Sequence, residues 1–160
     1  MPWDETELCS APIDSKNCSI GEINFIAGGG GISILQPEWS DKGELIYVSD
    51  ESGWWNLHKS NNGKNKNILD EPKEHAGPSW QFGFKTYDFY KKDNIILRGL
   101  SDDKKEGLIR ILDLNGKIKE EINLDHTQIS YLNVHGDNLF FIGSSPSKND
   151  EIIKYCIEDK

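Results

Sequence analysis

Four histidines, three cysteines and a surplus of carboxylates are the reactive groups of this 160-residue chain, and their spacing limits what they can do. His58, His75, His126 and His135 are scattered, with no H-x-x-x-H or H-E-x-x-H pattern to set two imidazoles side by side for zinc. Asp125-His126 has the composition of a metal or acid–base pair, yet it follows the strand-like run EINL and reads as a polar turn. Cys9, Cys18 and Cys156 form no C-x-x-C pair, and the expectation is free, buried thiols in a reducing compartment. Ser33, Ser101 and Ser145 each have glycine two places before them, but Leu35, Asp103 and Ser147 two places after, so none completes G-x-S-x-G. Asp70-Glu71 and Asp102-Asp103 fall in polar connections rather than facing each other as a glycosidase pair would. An Asp-box near Ser40–Gly43 fails because its Asp comes one place early.

The run Gly28–Gly31 lacks the following lysine of a phosphate loop, and its continuation to Ser33 and Ile34 breaks the dinucleotide fingerprint. It reads as a turn between repeats that needs positive φ. Catalytic residues, cofactor-binding residues and metal ligands are therefore all assigned as none, and no cofactor is expected. The remaining prominent groups are aromatic: Trp3, Trp39, Trp54, Trp55, Trp80 and the stretch WQFGFKTYDFY from Trp80 to Tyr90. A stacking platform for sugar or peptide is one reading and core packing the other; packing is favoured, with Trp54 and Trp55 on opposite faces of one strand covered on both sides.

The elements that would position these groups are short and β-rich. Candidate strands cover 23–27, 45–49, 54–59, 95–99, 108–112, 139–143 and 151–157, each bounded by Gly, Asn, Asp or Pro. Leu45, Ile95 and Leu139 start similar hairpins at intervals of 50 and 44 residues, and the QPEW and GPSW tryptophans lie 41 apart. An all-strand repeat of this period is a β-propeller blade. The fold class expected is all-β, an incomplete β-propeller arc of about three and a half four-stranded blades, since whole propellers close with about four to eight. The expected division is 1–27 as the end of a blade, 28–76 and 77–127 as blades, and 128–160 as a partial blade.

A formal charge of -9 and the lack of a Lys/Arg cluster argue against nucleic acid as a partner. No apolar run approaches the 18 or so residues of a membrane span, and the start of the chain is unlike a secretory signal, so a cytoplasmic protein is expected.

The string QPEWSDKGELIYVSDESGWWNLHKSNNGK resembles a blade of the β-propeller domain of prolyl-oligopeptidase-family serine peptidases, nearest their dipeptidyl-aminopeptidase and acylaminoacyl-peptidase-like members. GPSWQFGFKTYDF resembles the start of a following blade, ISYLNVHGDNLFFIGSSPSKNDEIIKY the blade after it, and MPWDETELCSAPID an interior stretch of the same domain. In that family the propeller caps an α/β-hydrolase domain bearing the Ser, Asp and His triad. The resemblance implies a propeller portion that is not an enzyme on its own. In the full parent it would limit access to short peptides, and its partners would be the remaining blades and the hydrolase domain. No family catalytic residue has a matching position here. Self-association through uncovered end faces is a further expectation, and the alternative is a stand-alone TolB- or WD40-type binding propeller.

Overall fold

The computed structural model describes residues 4–100 and 107–158, and every regular element among them is a β-strand. The first sheet pairs β1 (Glu7–Ser10) with β4 (Asn24–Gly28), and a small hairpin, β2 (Ile13–Asp14) and β3 (Ser19–Ile20), is inserted between them. The second sheet has the order β5 (Ile34–Trp39), β6 (Leu45–Ser49), β7 (Asn56–Asn61) and β8 (Lys64–Asn67). The third repeats that meander with β9 (Tyr87–Tyr90), β10 (Asn94–Leu100), β11 (Gly107–Asp113) and β12 (Ile118–Leu124). The fourth has β13 (Gln128–His135), β14 (Asn138–Ser145) and β15 (Lys148–Cys156). Leu45, Ile95 and Leu139 each sit near the start of the second strand of their sheet, and all three are buried.

The strand sequences are continuous apolar runs because both faces of the middle sheets are covered. LIYVS in β6 is buried at every position, and GLIRILD in β11 at every position but the last. Alternation then sends successive side chains to different neighbours. Ile95, Leu97 and Leu112 join Ile46, Val48 and Leu57 in one core between the second and third sheets. Ile96, Ile109 and Ile111 join Ile129, Leu132, Leu139 and Phe141 in the next core, between the third and fourth. Leu45 and Tyr47 turn the other way, onto Leu8 of the first sheet. Sheets stacked face to face, the second to the fourth each a consecutive meander, make a β-propeller arc.

The first strands of neighbouring sheets are tied by side chains at bulges. β5 bulges between Leu35 and Glu38, where Gln36 has φ 47; β13 bulges between Ser130 and Asn133, where Tyr131 has φ 54. At the first bulge Gln36 Nε2 donates to Tyr87 O at 2.7 Å, and Gln36 Oε1 accepts from Thr86 N at 2.8 Å. The buried Tyr87 hydroxyl lies 2.8 Å from Gln36 O and 2.9 Å from Ile46 O. At the second bulge Val134 N donates to Asp88 Oδ2 at 2.7 Å and Leu132 N to Lys85 O at 3.3 Å. A bulge kinks one strand and frees backbone groups; here residues 85–88, at the first strand of the third sheet, bind the bulges of both neighbouring sheets.

Two expectations need correction. Trp54 and Trp55 are not strand residues: Ser49 pairs with Asn56, so residues 50–55 form the β6–β7 loop, closed by Gly53 N donating to Asp50 O at 2.8 Å. Trp55 packs in the core while its amide donates to Glu74 Oε2 at 2.9 Å, whereas Trp54 stays 41% exposed. The cysteines are free but not buried: Cys9 and Cys18 are exposed and Cys156 is half-buried. Cys18 lies at the β2–β3 turn with φ 50, outside any core.

The buried tie at the first bulge yields a stability prediction. Tyr87→Phe keeps the ring but leaves two carbonyls without their hydroxyl, and the expected loss is about 1–3 kcal/mol. Chemical denaturation measures it, and an unchanged midpoint would show that the bulge is held by other contacts.

Candidate functional site

Antiparallel registers fix which loops share an end of the arc. Ser49 faces both Ile34 and Asn56, and Leu100 pairs with Gly107, which pairs with Leu124. The start of β5, the β6–β7 loop, the β8–β9 connection and the start of β11 therefore gather at one end, with the β12–β13 connection beside them. This loop end carries a polar network built on two arginines, a glutamate and a histidine.

The chain has only two arginines, and both lie inside apolar strands, Arg98 in IILRGL and Arg110 in LIRIL. Each points into a different seam of the third sheet. Arg110, 4% exposed, donates from Nη1 to Glu71 Oε2 at 2.6 Å and from Nε to Glu121 Oε1 at 2.8 Å. Arg98 donates from Nε to His75 O at 3.2 Å and from Nη1 to Ile129 O at 2.8 Å, with its guanidinium 5.1 Å from the Phe84 ring centre. One planar fork per seam binds carboxylates or carbonyls from the neighbouring segment, a task suited to arginine.

Glu71 also lies 3.2 Å from His75 Nε2, while His75 Nδ1 has no partner among the described groups. Burial raises the Glu71 carboxyl, but the hydrogen bond and charge of Arg110 outweigh it, and the net shift is downward. Burial pulls the His75 imidazole down, against the pull of Glu71 upward, so it is neutral near pH 7. Beside this network a cavity of about 240 Å³ is lined by Glu74, Ala76, Arg98, Gly99, Thr127, Gln128 and Ile129. Trp54, Trp80 and Phe82 stand exposed in the loops at this same end.

The groups singled out in the sequence do not come together here. Gly28–Gly31 all have positive φ, and a Cβ on Gly28 would lie 2.1 Å from Thr6 O, so the run is a forced turn between β4 and β5. Its amide at Gly30 donates to the chain's own Glu5 at 2.9 Å. His126 sits 3.2 Å from Glu151 across the fourth sheet, and Asp125 lies 3.5 Å from Lys148, so the two neighbours face different partners. Ser33 is fully buried, with its amide on Asp50 at 2.7 Å, and Ser145 Oγ meets Ser147 Oγ at 3.3 Å. Ser101, Asp102 and Asp103 lie outside the described residues. Among the described residues no three His, Cys, Asp or Glu side chains form a metal-ligating group. Sequence reasoning missed the Glu71–His75–Arg110 cluster; its readable signal was an arginine alone within each of two apolar strands.

The loop end combines a buried arginine–carboxylate network with exposed aromatic rings. No protein-family model matches the chain, and no curated protein does. Among solved structures, a puromycin hydrolase superposes with a TM-score of 0.83 at 27% identity, covering 98% of this chain and 23% of that one. A puromycin-hydrolyzing peptidase of Mycobacterium tuberculosis gives 0.83 at 22% identity, over 99% of this chain and 24% of that one. One of two prolyl endopeptidases analysed together gives 0.60 at 16% identity, over 86% of this chain and 20% of that one, a likeness of fold alone. The chain is thus a β-propeller arc. More narrowly, it matches the propeller portion of peptidases of the prolyl-oligopeptidase type, and it spans about a quarter of the length of the solved proteins it matches.

The neutral, buried His75 makes stability depend on pH in a defined direction. Its unfolded form takes up a proton near pH 6.5 while the folded form resists it, so stability present above pH ~6.5 is lost as pH falls. His58 is shifted down by burial as well and acts with the same sign. The denaturation free energy should fall between pH 7 and 5.5, by at most about 1.4 kcal/mol per pH unit for each histidine. His75→Gln should flatten that slope; an unchanged slope would remove His75 as its source.

Proposed function

We propose that this chain is the non-catalytic propeller portion of a prolyl-oligopeptidase-family serine peptidase. In that reading residues 28–76, 77–127 and 128–160 are successive blades of a cytoplasmic enzyme, with 1–27 ending the blade before them. The propeller caps an α/β-hydrolase domain and admits short peptides while excluding folded protein. The observation that carries this is the match of nearly the whole chain to a segment of a puromycin hydrolase. Trp54, Trp80 and Phe82 at the loop end give the hydrolase domain an apolar surface to dock on. The outer face of the fourth sheet, with Phe140 and Ile142 half-buried and Ile152 84% exposed, gives the next blade its packing face. With that face uncovered, the isolated chain self-associates.

Three measurements test this. The coding sequence downstream of residue 160 should contain G-x-S-x-G followed by Asp and His; their absence would favour a stand-alone binding propeller instead. The purified 160-residue chain should release no chromophore from an aminoacyl p-nitroanilide, and measurable turnover would overturn the non-catalytic assignment. Light scattering should report species heavier than a monomer, whereas a clean monomer at all concentrations would argue against an uncovered packing face.

A further inference from the structure

A second cleft, of about 270 Å³, opens between the first and second sheets at the end of the arc opposite the loop end. Register brings its groups together. Trp39 pairs with Leu45, Leu45 with Ser60 and Ser60 with Asn65, one directly opposed row across all four strands of the second sheet. Directly opposed residues share a face, and Leu45 turns that face towards Leu8 of the first sheet. Phe25 of β4 lines the cleft from the first sheet, and Asn65 Nδ2 ties the two sheets by donating to Ile26 O at 2.6 Å. Trp39 and Phe25 are 59% and 60% exposed. Ser60, in the same row, is 7% exposed, and its hydroxyl lines the cleft with no hydrogen-bond partner among the described groups.

We propose that this cleft binds a neutral oligosaccharide. Its twelve lining residues include no Asp, Glu, Lys or Arg, in a chain where those types make up 28%. A charged ligand would leave water and meet no counter-charge. The polar lining is amide and hydroxyl instead, Asn24, Asn61, Asn62 and Asn65 beside Ser60. Asn24 Nδ2 donates to Glu22 O at 3.1 Å, Asn61 Nδ2 to Glu44 Oε1 at 3.4 Å and Asn65 Nδ2 to Ile26 O. These bonds orient the three amides and leave each Oδ1 without a partner among the described groups. Asn62, in the β7–β8 turn with φ 49, has its whole side-chain amide unbonded among them. A sugar hydroxyl both donates and accepts, and amides supply both complements. The electron-rich faces of the Trp39 and Phe25 rings suit the C–H face of a pyranose, which a peptide does not present. The cleft lies at the opposite end from Trp54, Trp80 and Phe82, so a hydrolase domain docked on those rings would leave it free.

The test is titration calorimetry of the full chain at pH 7.5, with tryptophan emission followed in parallel. Cellotriose and triacetylchitotriose, both neutral with flat pyranose rings, should bind saturably and shift the emission. Trigalacturonate, which keeps the rings but adds carboxylates, should bind about tenfold more weakly. Trp39→Ala removes an exposed ring and should weaken sugar binding about fivefold. Ser60→Ala removes one unbonded hydroxyl and should weaken it about threefold, with the denaturation midpoint unchanged. Tighter binding of cellotriose assigns the ligand to a glucan, and tighter binding of triacetylchitotriose to the acetamido sugars of a glycoprotein. No saturable heat with either sugar, equal or tighter binding of trigalacturonate or of the neutral peptide N-acetyl-trialanine methylamide, or unchanged affinity in either variant would overturn the proposal.

Discussion

One hydroxyl holds the seam from which the rest of the arc takes its geometry. Tyr87, wholly buried, sets its phenol oxygen between Gln36 O and Ile46 O, and Gln36 answers by binding the backbone of residues 86 and 87 through its amide. Apolar faces alone would let two sheets slide over each other, because the hydrophobic effect has no direction. Hydrogen bonds at a bulge do have direction, and they fix both the spacing and the rotation of the third sheet on the second. At the next seam the same strand β9 is bound from the other side, Asp88 accepting from Val134 at the bulge of β13.

With the inner strands pinned, the outer parts of the sheets are joined by charge. Arg110 reaches Glu71 in the connection that follows the second sheet, and Arg98 reaches Ile129 in the fourth. Both arginines have their stems among apolar side chains and their forks on fixed acceptors. Breaking such a buried pair by removing one partner leaves a charge without compensation, which costs more than the pair itself contributes. The network is therefore structural: Glu71 is held by both Arg110 and His75, and Arg110 by Glu71 and Glu121.

The strands were legible in the sequence because their cause is local. Continuous apolar runs such as LIYVS and LIRIL, closed by Gly, Asn and Asp, mark strands covered on both faces, and Leu45, Ile95 and Leu139 recur at blade spacing. The tryptophan interval was less faithful. Trp39 ends β5, whereas Trp80 lies in the loop before β9, so equal spacing fell on unequal places. Repeats conserve the order of strands, and the connections between them vary in length: residues 68–86 separate the second and third sheets, but only 125–127 the third and fourth. The cluster of Glu71, His75 and Arg110 was not legible at all, since its ion pair joins residues 39 apart in the chain.

By itself the sequence determined that the chain is all-β, that its strands repeat at propeller spacing, and that no familiar catalytic motif is present. These follow from side-chain type and period, which act within a few residues. The tertiary structure decided which groups are covered, and the adjacent tryptophans show the difference. Neighbours in sequence, they were expected on two faces of a strand; the register of β6 with β7 put both in a loop. Trp55 packs against both neighbouring sheets' core residues with its amide on Glu74, 19 residues away, while Trp54 stays partly in water. Burial depends on what arrives from elsewhere in the chain, and no local pattern carries that information.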